Sequence, residues 1–179
     1  MPQEQRPTGS VTYRWIGVIH SPFAQRLGMP IQAAFAEGAA GTVELDPEYV
    51  PGLKDLEGFT HIILVYHFHL SKGYALQVTP FLEDRVHGVF ATRAPRRPNS
   101  IGISVVRLER VEGNVLHITG VDVVDGTPLL DIKPYVPSFD DRSEARIGWL
   151  QGRIDPAKAR NADQRFVEPD EEHDPGERA

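Results

Sequence analysis

The chain has 179 residues with 40% hydrophobic content, enough for one packed domain with a tail, and no cysteine, which excludes disulfides, a cysteine nucleophile and thiolate metal sites. Its formal net charge of −6 argues against a protein that coats nucleic acid non-specifically, so any RNA contact must use a localised basic patch. No apolar run reaches the roughly 18 residues of a membrane helix, and the polar start lacks the apolar core of a signal peptide, so the expectation is a soluble, cytoplasmic protein with no membrane partner.

Sixteen glycines and 15 prolines scattered through the chain suit many short strands joined by tight turns, and the expected class is all-β with one or two short helices. Residues 1–12 read as a flexible N-terminal segment, 13–154 as the domain, and 155–179 as an acidic, partly disordered tail nearly free of large apolar side chains. In chain order, the alternation of Val11, Tyr13 and Trp15 predicts a first strand. After the Ser21-Pro22 turn, Gly28-Met-Pro-Ile-Gln32 can line a ligand-binding mouth. Thr42 to Leu45 is a short strand, Val50 to Leu56 a weak helical piece, and Thr60 to Leu70 a central strand too apolar for an edge. Gly88 to Thr92, Ile101 to Val111, Asn114 to Thr119 and Leu129 to Lys133 continue the series, with a hairpin turn at Glu112-Gly113-Asn114. Ser143 to Leu150 carries the second weak helical signal.

Three segments carry candidate chemistry. Arg93-Ala-Pro-Arg-Arg-Pro-Asn-Ser100 puts three arginines into a proline-stiffened loop, where guanidinium forks suit a carboxylate or an RNA phosphate. Pairing with surface acids explains an isolated cluster of this kind equally well. Asp122, Asp125 and Asp131 surround a Gly-Thr-Pro turn, which invites a cation, a ribose or an adenine amine, although Asp125-Gly126 alone is an ordinary turn dipeptide. His61, His67 and His69 contain an HxH pair that could face a metal from one side of the central strand. No matched third ligand accompanies them, so hydrogen-bonded histidines are favoured and no metal is assigned. The sequence has no GxGxxG, Walker-type loop, HExxH or GxSxG, which lowers the weight of dehydrogenases, nucleotide hydrolases and serine hydrolases.

Taken together, Ile16-Gly-Val-Ile-His-Ser-Pro22, Gly88-Val-Phe-Ala-Thr-Arg93 with Arg97-Pro-Asn99 and Ile101-Gly102, and Asp125-Gly-Thr-Pro128 with Asp131-Ile-Lys-Pro-Tyr135 closely resemble the TsaA/TrmO (YaeB-like) family. The resemblance runs from about Tyr13 to Val136. It implies a compact β-barrel, a homodimer, S-adenosyl-L-methionine as methyl donor, and as acceptor the threonylcarbamoyladenosine beside the tRNA anticodon. Carried over by position, it implies cofactor contacts at Pro30, Ile31, Gln32, His69, Leu70, Arg93, Ile103, Asp122, Val124, Asp125, Gly126 and Thr127. Arg96, Arg97, Asn99, Lys133 and Tyr135 are assigned to the acceptor. Three positions depart from the family pattern: Ile31 stands where an arginine is usual, Arg96 replaces an aromatic or other residue, and Ser100 replaces a common proline. The extra C-terminal domain of some bacterial members is not expected.

Methyl transfer needs the acceptor nitrogen aligned with the methyl carbon and a group to take its proton, because that nitrogen's lone pair is delocalised. Asp125 is the first candidate base and His69 the second. The arginine loop would hold the threonyl carboxylate or loop phosphates, so Arg97→Lys should damage acceptor use more than cofactor binding. Two rivals remain: an S-adenosylmethionine-binding sensor without transfer activity, and a metal hydrolase built on the three histidines.

Overall fold

The computed structural model describes residues 9–36, 38–154 and 161–163. Eight strands follow one another: β1 (Gly17–His20), β2 (Ala40–Leu45), β3 (His61–His67), β4 (Gln77–Val78), β5 (His87–Gly88), β6 (Ile101–Glu112), β7 (Val115–Thr119) and β8 (Thr127–Pro134). Six of them close a barrel in the order β1-β2-β7-β6-β3-β8, with every neighbouring pair antiparallel, while β4 and β5 form a separate two-stranded ribbon. The all-β expectation therefore holds. Among the described residues, helical structure is limited to short 3₁₀ turns and one four-residue helix, α1 (Pro137–Asp140).

Alternation builds the barrel. On β3, Ile62, Leu64 and Tyr66 point inward; on β6, Gly102, Ser104, Val106 and Leu108 do so. They meet Ile19, Val43, Leu45, Leu116, Ile118 and Leu129 from the other walls, giving a core of branched aliphatic chains that are at most 7% exposed. The long β6 serves two partners, pairing through Ile101–Arg107 with β3 and through Arg107–Glu112 with β7. A register shift lies between Leu108 and Arg110 and another at Val65/Tyr66 against β8, irregularities of the kind that bend strands and let so few close a barrel. Gly113, at φ 64°, forms the β6–β7 hairpin in the backbone region that glycine tolerates best.

Gly102 is required by packing. It lies opposite Tyr66, and a Cβ at this position would overlap the Tyr66 ring and come within 2.8 Å of Phe68 Cζ. Gly102→Ala is expected to cost about 1–3 kcal/mol of stability by overpacking, read as a lower urea midpoint; an unchanged midpoint would mean that the Tyr66 ring can move aside without loss.

Several sequence expectations need correction. Val11, Tyr13 and Trp15 form no strand; they are exposed coil, and the first strand begins at Gly17. The segment Gly88 to Thr92 holds the end of β5 and then a 3₁₀ turn over Val89–Ala91, because the Thr92 hydroxyl donates back to the Val89 carbonyl oxygen (2.9 Å) and closes the turn. The piece near Val50 is a 3₁₀ turn (Pro47–Leu53), and only Gly148–Leu150 of the Ser143 to Leu150 piece is helical. Of the tail, 161–163 fall among the described residues, and they pair back onto the body: Ala162 N donates to Met29 O (2.7 Å) and Gly28 N to Ala162 O (2.9 Å). The rest of the tail, and residues 1–8, lie outside the described residues. Among the described residues no helix is long and apolar enough to cross a membrane.

Candidate functional site

A cavity of about 820 Å³ opens where β3 ends and β6 begins. The first loop brings Pro30, Ile31 and Gln32; the turn after β3 brings Phe68, His69 and Leu70; the arginine loop brings Arg93 and Arg97. Ile101, Gly102 and Ile103 come from the start of β6, and Asp122, Val124 and Thr127 from the β7–β8 connection. Pro80, Phe81, Leu82, Phe90, Trp149 and Leu150 form an apolar far wall. Most of the expected cofactor contacts thus share one cavity, assembled from five separate segments of the chain.

Its most unusual polar feature is a chain of three side chains on the barrel wall. The Tyr66 hydroxyl lies 3.0 Å from Ser104 Oγ, and Ser104 Oγ donates to Asp122 Oδ1 at 2.5 Å. Burial pushes the Asp122 carboxyl up to about 6, although the Ser104 hydroxyl, the backbone N–H groups of Asp122 and Ala33, and Arg93 each pull it back. Burial also raises the Tyr66 phenol, which stays protonated. Ser104 is therefore satisfied from both sides, and Asp122 carries a negative charge into a partly dry cavity at neutral pH.

Cations face it. Arg93 Nη1 donates to Gln32 Oε1 (2.7 Å), linking the arginine loop to the first loop across the cavity. Arg26 Nη2 donates to the Leu70 carbonyl oxygen (2.9 Å), so a guanidinium lines the same cavity five residues before Ile31, where the family pattern would place one. His69 sits in the turn past β3, where its backbone N–H donates to His67 O (2.8 Å). Burial, then the neighbouring His67, hold its imidazole below the usual range, so it is neutral at pH 7.

Arg97 has a different position from the one its sequence context suggests. Its Nη1 donates to the carbonyl oxygens of Thr92 (2.9 Å), Val89 (3.2 Å) and Ala94 (3.4 Å), which makes it a clasp for its own loop. Arg97→Lys is expected to lower acceptor use at least tenfold by loosening that loop, because an ammonium cannot reproduce the planar fork. The check is KM for the acceptor beside Kd for the small-molecule ligand of the cavity; equal loss in both would place the residue with that ligand instead.

The remaining sequence candidates lie outside the cavity lining. Asp125 is half exposed, 3.1 Å from His20 Nδ1, and accepts from Ser21 N at 3.1 Å; that backbone bond, followed by His20, holds its carboxyl below the usual range. Gly126, at φ 78°, turns the chain beside it. Asp131 pairs with Lys133 (2.6 Å) on the outer wall, so the three aspartates do not surround one point. Lys133 and Tyr135 stand at the opposite end of β3, Lys133 opposite Ile63 and Tyr135 edge-on to His61 with its hydroxyl on Asp141 (2.6 Å). Asn99 is exposed, and Arg96 is half-buried with its carbonyl oxygen accepting from Ala75 N (3.3 Å). His61 and His67 occupy opposite ends of β3, about 20 Å apart by strand rise, too far to share an ion. The HxH pair does not share a strand face either, since the strand ends at His67 and the chain turns.

Sequence reading missed Arg26, Phe81, Phe90, Trp149 and the strap at Ala162 and Asp163, all of which line the cavity. None belongs to a periodic pattern. Trp149 is held by stacking on His87 (centroids 4.6 Å apart) and by donating its indole N–H to the Ala91 carbonyl oxygen (2.8 Å). His87 in turn bonds Glu83 (2.8 Å), which Arg153 also holds (2.6 Å). An aromatic residue flanked by Gly and Leu gives no sign of such a network.

A closed six-stranded antiparallel barrel with a ligand-sized cavity at the mouth of its central strand defines a class quite unlike the open parallel sheets of nucleotide-binding folds. The profile of the tRNA-methyltransferase O N-terminal domain matches residues 18–141, and the chain belongs to that family. It is similar to a probable S-adenosyl-L-methionine-binding protein of Pyrococcus abyssi, 56% identical over 87% of this chain and 85% of that protein. It is also similar to the mouse tRNA (adenine(37)-N6)-methyltransferase, at 36% identity over 74% of this chain and 32% of the mouse protein. A crystal structure of TrmO from Pseudomonas aeruginosa superposes with a TM-score of 0.69 at 40% identity, covering 82% of this chain and 64% of that one. The chain therefore spans most of the archaeal relative but less than two thirds of the bacterial and mammalian ones.

Proposed function

We propose that this protein is an S-adenosyl-L-methionine-dependent methyltransferase acting on the exocyclic nitrogen of threonylcarbamoyladenosine beside the anticodon of tRNA. The observation that carries the reading is the make-up of the cavity lining: the Asp122 carboxylate, the guanidinium groups of Arg26 and Arg93, and apolar side chains in one cavity. S-adenosylmethionine has matching parts, a sulfonium and an ammonium for the carboxylate, a carboxylate for a guanidinium, and a purine for the apolar surface. About 820 Å³ leaves room beside it for an acceptor nucleoside. The names of relatives, an S-adenosyl-L-methionine-binding protein and a tRNA (adenine(37)-N6)-methyltransferase, support the cofactor and methylation of an adenine in tRNA.

When bound, S-adenosylmethionine would supply an electrophilic methyl group to the acceptor nitrogen, its sulfonium leaving as a neutral thioether. The protein's residues do the rest. Asp122, fixed by Ser104, orients the cationic part; Arg93, tied to Gln32, closes the first loop over it; the far wall excludes water. Neutral His69 takes the proton from the nitrogen. The lining position of His69 and the engagement of Asp125 with Ser21 and His20 favour the imidazole over the carboxylate. A homodimer fits the same reading, since Val105 faces outward on β6 next to the cavity-lining Ile103 and leaves apolar surface beside the cavity for a second copy to cover.

Digesting tRNA to nucleosides after incubation with the protein and labelled S-adenosylmethionine tests the acceptor. Label on threonylcarbamoyladenosine supports the proposal; label on another nucleoside overturns the acceptor assignment.

A further inference from the structure

Phe90 is 75% exposed, yet it lines the cavity and sits in the Val89–Ala91 turn. Val89, before it, is fully buried beside Val78 and Ala94. Val89 N donates to Leu76 O (2.9 Å), the Val89 carbonyl oxygen accepts from the Thr92 hydroxyl (2.9 Å) and Arg97 Nη1 (3.2 Å), and the Ala91 carbonyl oxygen accepts from the Trp149 indole (2.8 Å). The backbone on both sides of Phe90 is thus anchored while its ring is held out. The Arg97 guanidinium carbon lies 5.9 Å from the ring centroid, so a cation attends the ring from within the loop.

Exposure of a single aromatic ring means little by itself, and Phe139 is exposed to nearly the same degree; Phe90 is set apart because it lines the cavity, its turn is anchored on both sides, and a guanidinium lies against its ring. Its place narrows the ligand. The ring stands on the cavity wall with Arg93 three residues away, giving a flat apolar surface beside positive charge. That combination suits an unpaired nucleobase: such bases stack on aromatic rings, and a guanidinium against the ring strengthens the platform. An aliphatic ligand would need an enclosed pocket and no charge.

We infer that the Phe90 ring, backed by Arg97 and held out by the Val89–Ala91 turn, is the stacking platform for the acceptor base, which leaves the anticodon loop and lies on it inside the cavity mouth. The inference rests on the tRNA methyltransferase reading and adds to it the residue that captures the base. Arg97 then acts as a positioning residue for Phe90, and a flipped base is brought within the cavity that holds His69.

The test compares the wild type with Phe90→Ala, Phe90→Leu and Phe90→Tyr, following methyl transfer to hypomodified tRNA, direct tRNA titration and cofactor titration. Stacking is expected to show as a rise of roughly 5- to 100-fold in KM and Kd for tRNA in both Phe90→Ala and Phe90→Leu. Phe90→Tyr should stay within about threefold of the wild type, and cofactor Kd should move by less than about threefold in all three, because stacking requires an aromatic face and nothing else of this side chain. A Phe90→Leu protein with wild-type tRNA affinity overturns the inference, since bulk alone would then suffice. So does a change of sedimenting species in Phe90→Ala, which would make the ring a contact between copies of the chain. A wild type that binds tRNA but transfers no methyl strikes at the methyltransferase reading, and the tRNA titrations still decide the role of the ring.

Discussion

Replacing His69 by Asn is expected to lower the rate of methyl transfer by roughly 10²- to 10⁴-fold, the usual contribution of a positioned general base, while cofactor affinity changes by less than about tenfold. The expectation follows from three features in one place. The imidazole lines the cavity; the turn that carries it is pinned by its own N–H on His67 O (2.8 Å); and burial, then His67, keep it neutral at pH 7. A neutral imidazole can accept the proton that the acceptor nitrogen must lose. Because the His69 pKa lies below the ordinary value near 6.5, the rate should rise with pH through the acidic range and be flat at neutrality. The comparison variant is Asp125→Asn, whose carboxyl is occupied with Ser21 N and His20. A loss of transfer confined to Asp125→Asn, with His69→Asn active, would move the base to the aspartate.

Asp122→Asn is expected to weaken cofactor binding by roughly 10- to 100-fold, the range for losing a charged hydrogen-bonding partner in a cavity. The same change should make the ligand-free protein more stable. A carboxyl whose folded pKa is raised favours the fold when protonated; that contribution is complete below about pH 4 and is lost as pH rises through about 6. At pH 7 the charged Asp122 therefore costs on the order of 2 kcal/mol, which a neutral amide of the same shape recovers. Wild-type cofactor affinity should fall as pH drops through about 6, and the Asn variant should show no such fall. Isothermal titration at several pH values, beside thermal unfolding of the ligand-free proteins, reads both halves. A variant that is less stable and binds as tightly as the wild type would show Asp122 to be a packing residue.

Five of the six barrel strands were legible in the sequence, β2, β3, β6, β7 and β8, and the first was not. β3 announces itself as an unbroken run of branched and aromatic residues and β6 as a long stretch with alternating branched residues, with the turn between β6 and β7 marked by Gly113 and its neighbours. The Val11, Tyr13, Trp15 alternation misled because period carries no information about whether a face has anything to pack against. The true β1 has only four residues, GVIH, too short for a period to register.

The site divided along similar lines. Motif resemblance located Gln32, His69, Arg93 and Asp122 in one cavity, but it could not tell Asp122 from Asp125. That choice depends on the path of the β7–β8 connection, where Val121 and Val123 turn into the core and Asp122, between them, reaches Ser104, while Asp125 lies beyond the last of these anchors. Arg97 was read as a ligand for anions because its neighbours are basic and proline-rich, yet three backbone carbonyls compete for it, and such competition is set by a fold closed over residues 89–97. The far wall was invisible for a related reason: Phe81, Phe90 and Trp149 sit in aperiodic segments and meet only through tertiary contacts.

The most direct test is a single-turnover assay with the protein in excess over labelled S-adenosylmethionine and hypomodified tRNA, run beside His69→Asn. The label is expected to move into tRNA with the wild type, and to remain with bound cofactor in the variant. A wild type that binds the cofactor tightly and leaves the label there would contradict the transfer reading and identify the barrel as a binding protein.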